Sequence, residues 1–513
     1  METTTIFEKI PPKLRSRVAL VDGVLHVSAE VRDEPEVREC YSHLYHSWGA
    51  IKYEFHPPEE FDKQYANQSA RTGQGENDVV QYAMDLLAKA YEANATDIHI
   101  IDSGPYTMIR FRILGMLANY THLEGPFGRQ VIACLYQKMG QSSDTSFSPS
   151  ERQEGRIAKR EYLPGPVHSA RVHCEPIEIT QAQDSVGTSM ALRLLYDSTL
   201  AKGSLAERMG RLGFTSDHCD TMQFLTRRTG LTIISGPTGH GKSTLLKHIM
   251  EAMVERTPEK AFFSVEDPPE YPLRGVRQVL IEKVKDDNKR AQAYKDAIAG
   301  AMRSDPDVLM IGEIRYDAAA LAAIDAALTG HGVWATLHAN NAFGIIARLV
   351  SILSGKAMNA LDLLCDPNVL AGLTYQRLLP VLCPECKVKM LDMKPKELAR
   401  FVPRDVQQRL DIVLADQEGV HVRGPGCEKC HGLGLVSQTV AAEVIALDQR
   451  MLAHLRAEKM ADAYDYWLNE KHGKSYVQHA LDLIRQGVVD PYLAEERLGV
   501  PLDFNQMFLE GRP

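Results

Sequence analysis

The chain has no run of eighteen apolar residues, so no segment is expected to cross a bilayer as a helix. Its opening stretch, METTTIFEKIPPKLRSR, lacks the apolar centre of a secretory leader. A cytoplasmic chain is expected, meeting a membrane only peripherally and through a partner. Positive charge is not in excess either: 58 Lys and Arg stand against 67 Asp and Glu, for a net charge of −9. General nucleic-acid binders carry a basic face, so nucleic acid is an unlikely partner on composition. Nine cysteines among 513 residues are too few and too scattered for a disulfide framework in such a compartment. No short-period repeat or low-complexity tract appears. What remains is ordinary soluble composition, 44% apolar and 24% charged, with length for about three domains.

Against that plain background one pattern recurs. LTIIS precedes GPTGHGKST, AFFSV precedes EDP, DVLMI precedes GEIR, and GVWATL precedes HANN. Each is a short apolar run ending in residues suited to phosphate or magnesium chemistry. Parallel strands deliver ligand-facing residues at their carboxyl ends, so the four runs predict one site on one sheet edge. Its expected members are Lys242, Glu266, Glu313 and His338.

The first run carries a P-loop. Gly236, Pro237, Thr238, Gly239, His240, Gly241, Lys242 and Ser243 fit G-x-x-x-x-G-K-[ST] without mismatch, with Thr244 opening a helix-like run. The glycines let backbone N–H groups turn inward on phosphate oxygens, and the new helix adds its positive end. Lys242 would reach the β- and γ-phosphates of ATP, and the Ser243 hydroxyl would ligate Mg2+. Hydrolysis of a nucleoside triphosphate is the expected activity.

Glu313 sits just past the run Val308 to Ile311, where a carboxylate can orient an attacking water. The strand-end position that usually holds a magnesium-binding aspartate is Gly312, so Glu266 and Asp267 on the neighbouring run are expected to fill that role. The bland reading of these carboxylates is a helix cap or a surface charge. His331 and His338 flank a strand whose seven steps of about 3.3 Å separate them by more than about 20 Å. His338, at the carboxyl end, is the expected γ-phosphate sensor, and His331 a helix-terminal histidine. None of these strand ends offers a cation opposite Lys242. Arg110 and Arg112 alternate on another strand, as groups aimed at a common partner would, or as solvated strand residues.

Cys383, Cys386, Cys427 and Cys430 form two C-x-x-C pairs separated by 40 residues. Four thiolates so paired suit a closed tetrahedral Zn2+ site, with unmetallated structural thiols as the alternative. Cys427 to His431 also spells a haem c attachment motif, but that chemistry needs export and no export signal is present.

The expected organisation is a small module over 1–56, a polar linker over 57–77, an α+β domain over 78–197, a hinge over 198–212 and a nucleotide domain over 213–513. The last holds a metal-binding excursion near 380–447 and closing helices. VALVDGVLHVS predicts a hairpin turning at Asp22-Gly23, Asn77 or Asp78 a helix start, and Ile98–Ile101 and Met108–Ile113 two strands.

GPTGHGKST, VEDPPEY, RSDPDVLMIGEIR and TGHGVWATLHANNA resemble, in order, the Walker A, Asp box, Walker B and His box of the secretion-ATPase superfamily. ATDIHI with IRFRILGML, and the two cysteine pairs, resemble its type II secretion and type IV pilus assembly branch. The resemblance spans roughly 78–498. It departs where the usual GEIRD reads GEIRY, with Asp317 one place later, and where GLGLVSQT replaces a Gly-Tyr-Lys-Gly-Arg run. It implies an α/β, RecA-like P-loop ATPase core preceded by an α+β (PAS-like) domain, working as a homo-hexamer against an inner-membrane platform protein. It also implies that arginines of the preceding domain reach nucleotide phosphates, Arg110 and Arg112 first, with Arg171 and Arg193 at matching positions. Retraction and type IV secretion ATPases share the four boxes but generally lack the cysteines. A nucleic-acid motor is the rival from another class.

Overall fold

The computed structural model describes residues 76–142, 146–179, 186–196, 203–281, 287–355 and 359–504, with parts of 17–61. The chain forms two units, Met1–Ser198 and Thr199–Pro513.

In the first unit, β1 (Val18–Val21) and β2 (Val24–Ser28) pair antiparallel with Val21 opposite Val24, as the hairpin pattern predicts. The turn residues Asp22 and Gly23 lie outside the described residues. A third strand, β3 (Lys52–His56), runs parallel to β2. A helix over Glu76–Glu92 then precedes β4 (Ala95–Asp102), β5 (Tyr106–Ile113) and β6 (Met116–Glu124). After a helix at Gly125–Ala133 come β7 (Gln141–Ser142), β8 (Gln153–Ile157), β9 (Val167–Glu178) and β10 (Val186–Tyr196). These seven make one antiparallel sheet in the order β6-β5-β4-β10-β9-β8-β7. Alternation sorts its faces. Ile98, Ile100, Ile109, Phe111, Val172 and Leu192 join Leu86 and Leu87 of the first helix in one core. On the other face the register runs Arg112, Asp97, Arg193, Arg171, Arg156 straight across five strands.

The second unit is built on β11 (Gly230–Ser235), β12 (Phe262–Glu266), β13 (Val276–Leu280), β14 (Val308–Ile311), β15 (Gly332–Leu337), β16 (Leu370–Leu382) and, after the ribbon β17 (Val388–Lys389) and β18 (His421–Val422), β19 (Leu435–Ala446). The order is β13-β12-β14-β15-β11-β16-β19, parallel except for β19. The apolar runs are unbroken because helices cover both faces. Ala320, Ile324, Ile346 and Leu349 pack on one side, Leu245, Ile249 and Met250 on the other. This is the expected α/β core, and it gathers the carboxyl ends of β11, β12, β14 and β15 along one edge.

The stretch 435–446, expected within the metal excursion, instead closes the main sheet: β19 pairs with β16 from Gly372↔Ala446 to Leu382↔Leu435. Its alternating LVSQTVAAEVIA suits a strand, and the excursion proper leaves and returns between Leu382 and Leu435. No helix among the described residues is long and apolar enough to cross a membrane.

Candidate functional site

β11 ends at Ser235, and the loop 236–241 turns into the helix Lys242–Arg256. Gly236 has φ +151°, and a Cβ there would stand 2.4 Å from the Gln376 carbonyl oxygen, so only glycine passes beneath β16. Gly241 caps the helix with φ +76° and offers no side chain to its first amides, which leaves them for an anion. Lys242 Nζ donates to the carbonyls of Gly236 and Pro237 at 2.9 and 3.0 Å, within the loop it would share with phosphates. Pro237, Thr238, Gly239, Ser243 and Thr244 complete the loop and the first helical turn.

His240 is fixed from outside the motif. Its Nδ1 accepts from the Leu378 amide at 2.9 Å, and Gln376 Nε2 donates to its carbonyl at 2.6 Å. Burial, then Arg377 and other nearby cations, brings its pKa down to about 4, so the ring is neutral and an acceptor. Gln376 and Leu378 escaped the sequence reading because no motif marks them. Only the adjacency of β16 to β11 brings them to the loop.

Glu313 follows β14 by two residues. Its Oε1 lies 3.3 Å from His338 Nε2, and its Oε2 accepts from Arg315 at 2.6 Å. His338 in turn places Nδ1 3.1 Å from the Gly236 carbonyl, so it bridges the P-loop to the carboxylate. Burial, then Lys242, lowers its pKa, while Glu313 opposes the shift. Arg315, in the loop after β14, is a cation that the sequence reading did not place in the site. Its signal was the arginine of GEIR itself.

Glu266 ends β12, only 7% exposed, with Oε1 accepting from Ser264 Oγ at 2.7 Å and Gln278 Nε2 at 3.1 Å. Burial raises its pKa against those two bonds. Gly312 is its neighbour, and a Cβ at 312 would stand 3.2 Å from Glu266 Cγ. Asp267, expected beside it, is held by Arg290 at 2.9 Å. His331 lies beyond the opposite end of β15, where Nδ1 reaches the Ala326 carbonyl at the end of the helix Asp317–Leu328. Lys242, Glu313 and His338 thus meet at one edge, Glu266 ends a strand on that edge, and His331 stays apart.

Behind His338, the fully buried Glu443 accepts from the amides of Ala342 at 2.9 Å and Tyr476 at 3.4 Å. Burial pushes its pKa up to about 7. It ties the loop after β15 to the helix Tyr476–Arg485, a link invisible in sequence because the partners are backbone amides.

In the first unit, Arg112 Nε and Arg193 Nε approach Asp97 at 3.8 and 2.9 Å. Arg110 donates to the Leu117 carbonyl at 3.4 Å, and its Nε, like that of Arg156, is buried without a hydrogen bond. Arg156 is held below its usual pKa by burial and then by Arg171.

The four cysteines converge. Sγ separations are 3.7 Å for Cys383–Cys427, 3.8 Å for Cys386–Cys430 and 3.7 Å for Cys427–Cys430. Thiolates about 2.3 Å from one tetrahedral zinc stand about 3.8 Å apart, so the donor set fits that ion. The amides of Cys427 and Gly434 donate to Cys430 Sγ at 3.1 Å each, which suits a charged sulfur.

The family described as "Type II/IV secretion system protein" matches residues 72–498. Type II secretion system ATPase E of Vibrio cholerae is 28% identical over 429 residues, 82% of this chain and 76% of that one. Type IV pilus assembly ATPase PilB of Thermus thermophilus is 27% identical over 410 residues, 80% of this chain and 42% of that one. Among solved structures, the pilus retraction motor PilT with bound ADP aligns with TM-score 0.52 at 22% identity, covering 83% of this chain and 99% of that one, a likeness of fold.

Proposed function

Because this chain belongs to the type II/IV secretion system protein family, we propose that the edge described above is where its motor hydrolyses ATP. The chain is a secretion or pilus ATPase. The observation that carries the site assignment is the bridge from Gly236 through His338 to Glu313, which joins a phosphate-binding loop to a carboxylate.

In this reading the P-loop amides and Lys242 grip the β- and γ-phosphates, and Glu313 orients the attacking water. His338 senses the γ-phosphate. Ser243, Glu266 and Glu313 are hard oxygen donors of the kind magnesium takes. Magnesium held by these oxygens would supply positive charge against the charge that develops on the phosphates. Glu266 and the space left by Gly312 take over the place of the strand-end aspartate. Arg110 and Arg112 supply positive charge to the phosphates during turnover. Arg112 approaches Asp97 only at 3.8 Å and the Arg110 Nε is buried without a hydrogen bond, which supports the assignment.

The further reading is a cytoplasmic homo-hexamer, peripheral at the inner membrane, working on a platform protein to assemble a pilus or drive type II secretion. The tetracysteine cluster, read as one zinc site, favours that branch over retraction and type IV secretion. A test is ATP turnover by the purified full chain with and without DNA or RNA, alongside the mass of the active species. Unchanged turnover by a six-chain particle is expected. Severalfold stimulation by nucleic acid would transfer the chain to the class of nucleic-acid motors.

A further inference from the structure

The small sheet β1-β2-β3 carries a cluster for which the motor has no use. His26 is on β2, and Glu54 and His56 are on the parallel neighbour β3, with His26 opposite Glu54 and Ser28 opposite His56. Residues two apart on a strand share a face, so both β3 side chains rise beside His26. His26 Nδ1 stands 2.9 Å from His56 Nε2. Glu54 Oε2 is 3.6 Å from the first nitrogen and 4.0 Å from the second. The rings are tilted by 45° with centroids 5.0 Å apart. Two imidazole nitrogens and a carboxylate oxygen therefore converge on one point.

Ligand atoms about 2.0–2.2 Å from a tetrahedral ion lie about 3.3–3.6 Å apart, the mean scale of this triangle. We propose that His26, Glu54 and His56 bind one divalent transition-metal ion of the zinc class. Imidazole with carboxylate suits zinc, nickel or copper rather than magnesium or calcium. The His26 side chain is 11% exposed whereas the Glu54 side chain is 54% exposed, so the ion enters from the carboxylate side and keeps an outer position for water. The gain is mechanical. Three strands of four or five residues bury little, and small units of that kind hold together with a metal or a cross-link. An ion here adds a side-chain clasp to the short parallel ladder between β2 and β3, two strands that lie far apart in sequence.

The test uses the full-length protein, stripped with a chelator and dialysed against buffered zinc, with zinc per chain read by elemental analysis. Two equivalents are expected, one from the cysteines and one from this cluster. Glu54→Gln changes an exposed side chain and does not disturb packing. It should weaken one equivalent by at least about tenfold, the scale that even outer-shell partners command. His26→Asn should remove that equivalent. Cys383→Ser should remove the other and leave this one, which separates the two sites. Zinc should also slow protease cleavage within residues 1–75 of the parent and not of Glu54→Gln. A parent that holds no zinc beyond the cysteine site, or an extra zinc indifferent to both Glu54→Gln and His26→Asn, overturns the proposal. The cluster would then be a hydrogen-bonded imidazole pair.

Discussion

Glu313 and His338 face one another at 3.3 Å, and the same histidine reaches the Gly236 carbonyl at 3.1 Å. One ring therefore touches both the loop proposed to grip phosphate and the carboxylate proposed to position water. The two jobs it connects are separable by substitution.

Lys242→Ala should weaken ATP binding, because it removes the cation proposed to grip the β- and γ-phosphates. Glu313→Gln should keep binding and lower kcat by about a hundredfold or more, the scale of a lost general base. Nucleotide titration and steady-state turnover measure both. Near-parental turnover by Glu313→Gln would end its catalytic assignment.

Gly312→Asp would restore an aspartate to the usual strand-end place, yet it should harm this protein. The new Cβ comes within 3.2 Å of Glu266 Cγ, and Ser264 and Gln278 keep that side chain from yielding. Overpacking of this kind costs on the order of 1–3 kcal/mol. Denaturant unfolding should show the loss, with turnover reduced. Equal stability and faster hydrolysis would mean that Glu266 does not occupy the aspartate's place.

Arg110→Ala and Arg112→Ala should each cut turnover strongly while sparing nucleotide binding and ring assembly. Arg112 shares Asp97 with Arg193, so Asp97→Asn should also disturb turnover by freeing two guanidinium groups at once. If both alanine variants hydrolyse ATP like the parent, the row is a structural feature of its sheet.

Acid should destabilise the second unit. His218 and His479 meet in the core with ring centroids 5.1 Å apart and planes tilted by 57°, and neither ring nitrogen of His218 has a hydrogen bond. Burial, then the neighbouring His479 and Lys474, brings His218 down to about 3, and burial brings His479 and His248 to about 4. These rings stay neutral in the fold while the unfolded chain takes up protons below about 6.5. Stability is thus complete above 6.5 and falls with pH toward 4, by up to about 1.4 kcal/mol per ring and pH unit. Glu443 runs the other way, stabilising below its unfolded value and losing that as pH passes about 7. With His240, also near 4, four rings lower stability toward acid, while burial raises Glu443, Glu251, Glu266 and Asp490 and sets them against the rings. The fall between pH 6.5 and 5 should therefore shrink in His218→Phe. A flat profile there, or no flattening in His218→Phe, would contradict the assignment.

Much of the site was legible because parallel strands put chemistry at their ends. Each apolar run stopped where a ligand-facing residue began, and Lys242, Glu313 and His338 fell together as the pattern required. Partners that come from strand adjacency rather than from motifs were not legible. Gln376 and Leu378 fix His240 from a strand more than 130 residues away in sequence. Glu443 binds only backbone amides, which no residue code records. Arg315 stood inside the quoted GEIR and was passed over because its reach to Glu313 depends on a turn, not on a strand. The boundary of the excursion was misplaced because LVSQTVAAEVIA, read locally, does not say which sheet it joins.

Taken as a mechanical part, β16 is a rod gripped at two places. Near its middle Gln376 and Leu378 hold the P-loop, and at its tip Leu382 passes into Cys383. Five residues at about 3.3 Å each set these grips roughly 17 Å apart. β19 braces that outer span with a continuous ladder from Gln376↔Ala442 to Val381↔Ser437, so the rod tilts sooner than it bends. A change of slope at the phosphate loop therefore arrives at the cysteine knot enlarged by the length of the arm.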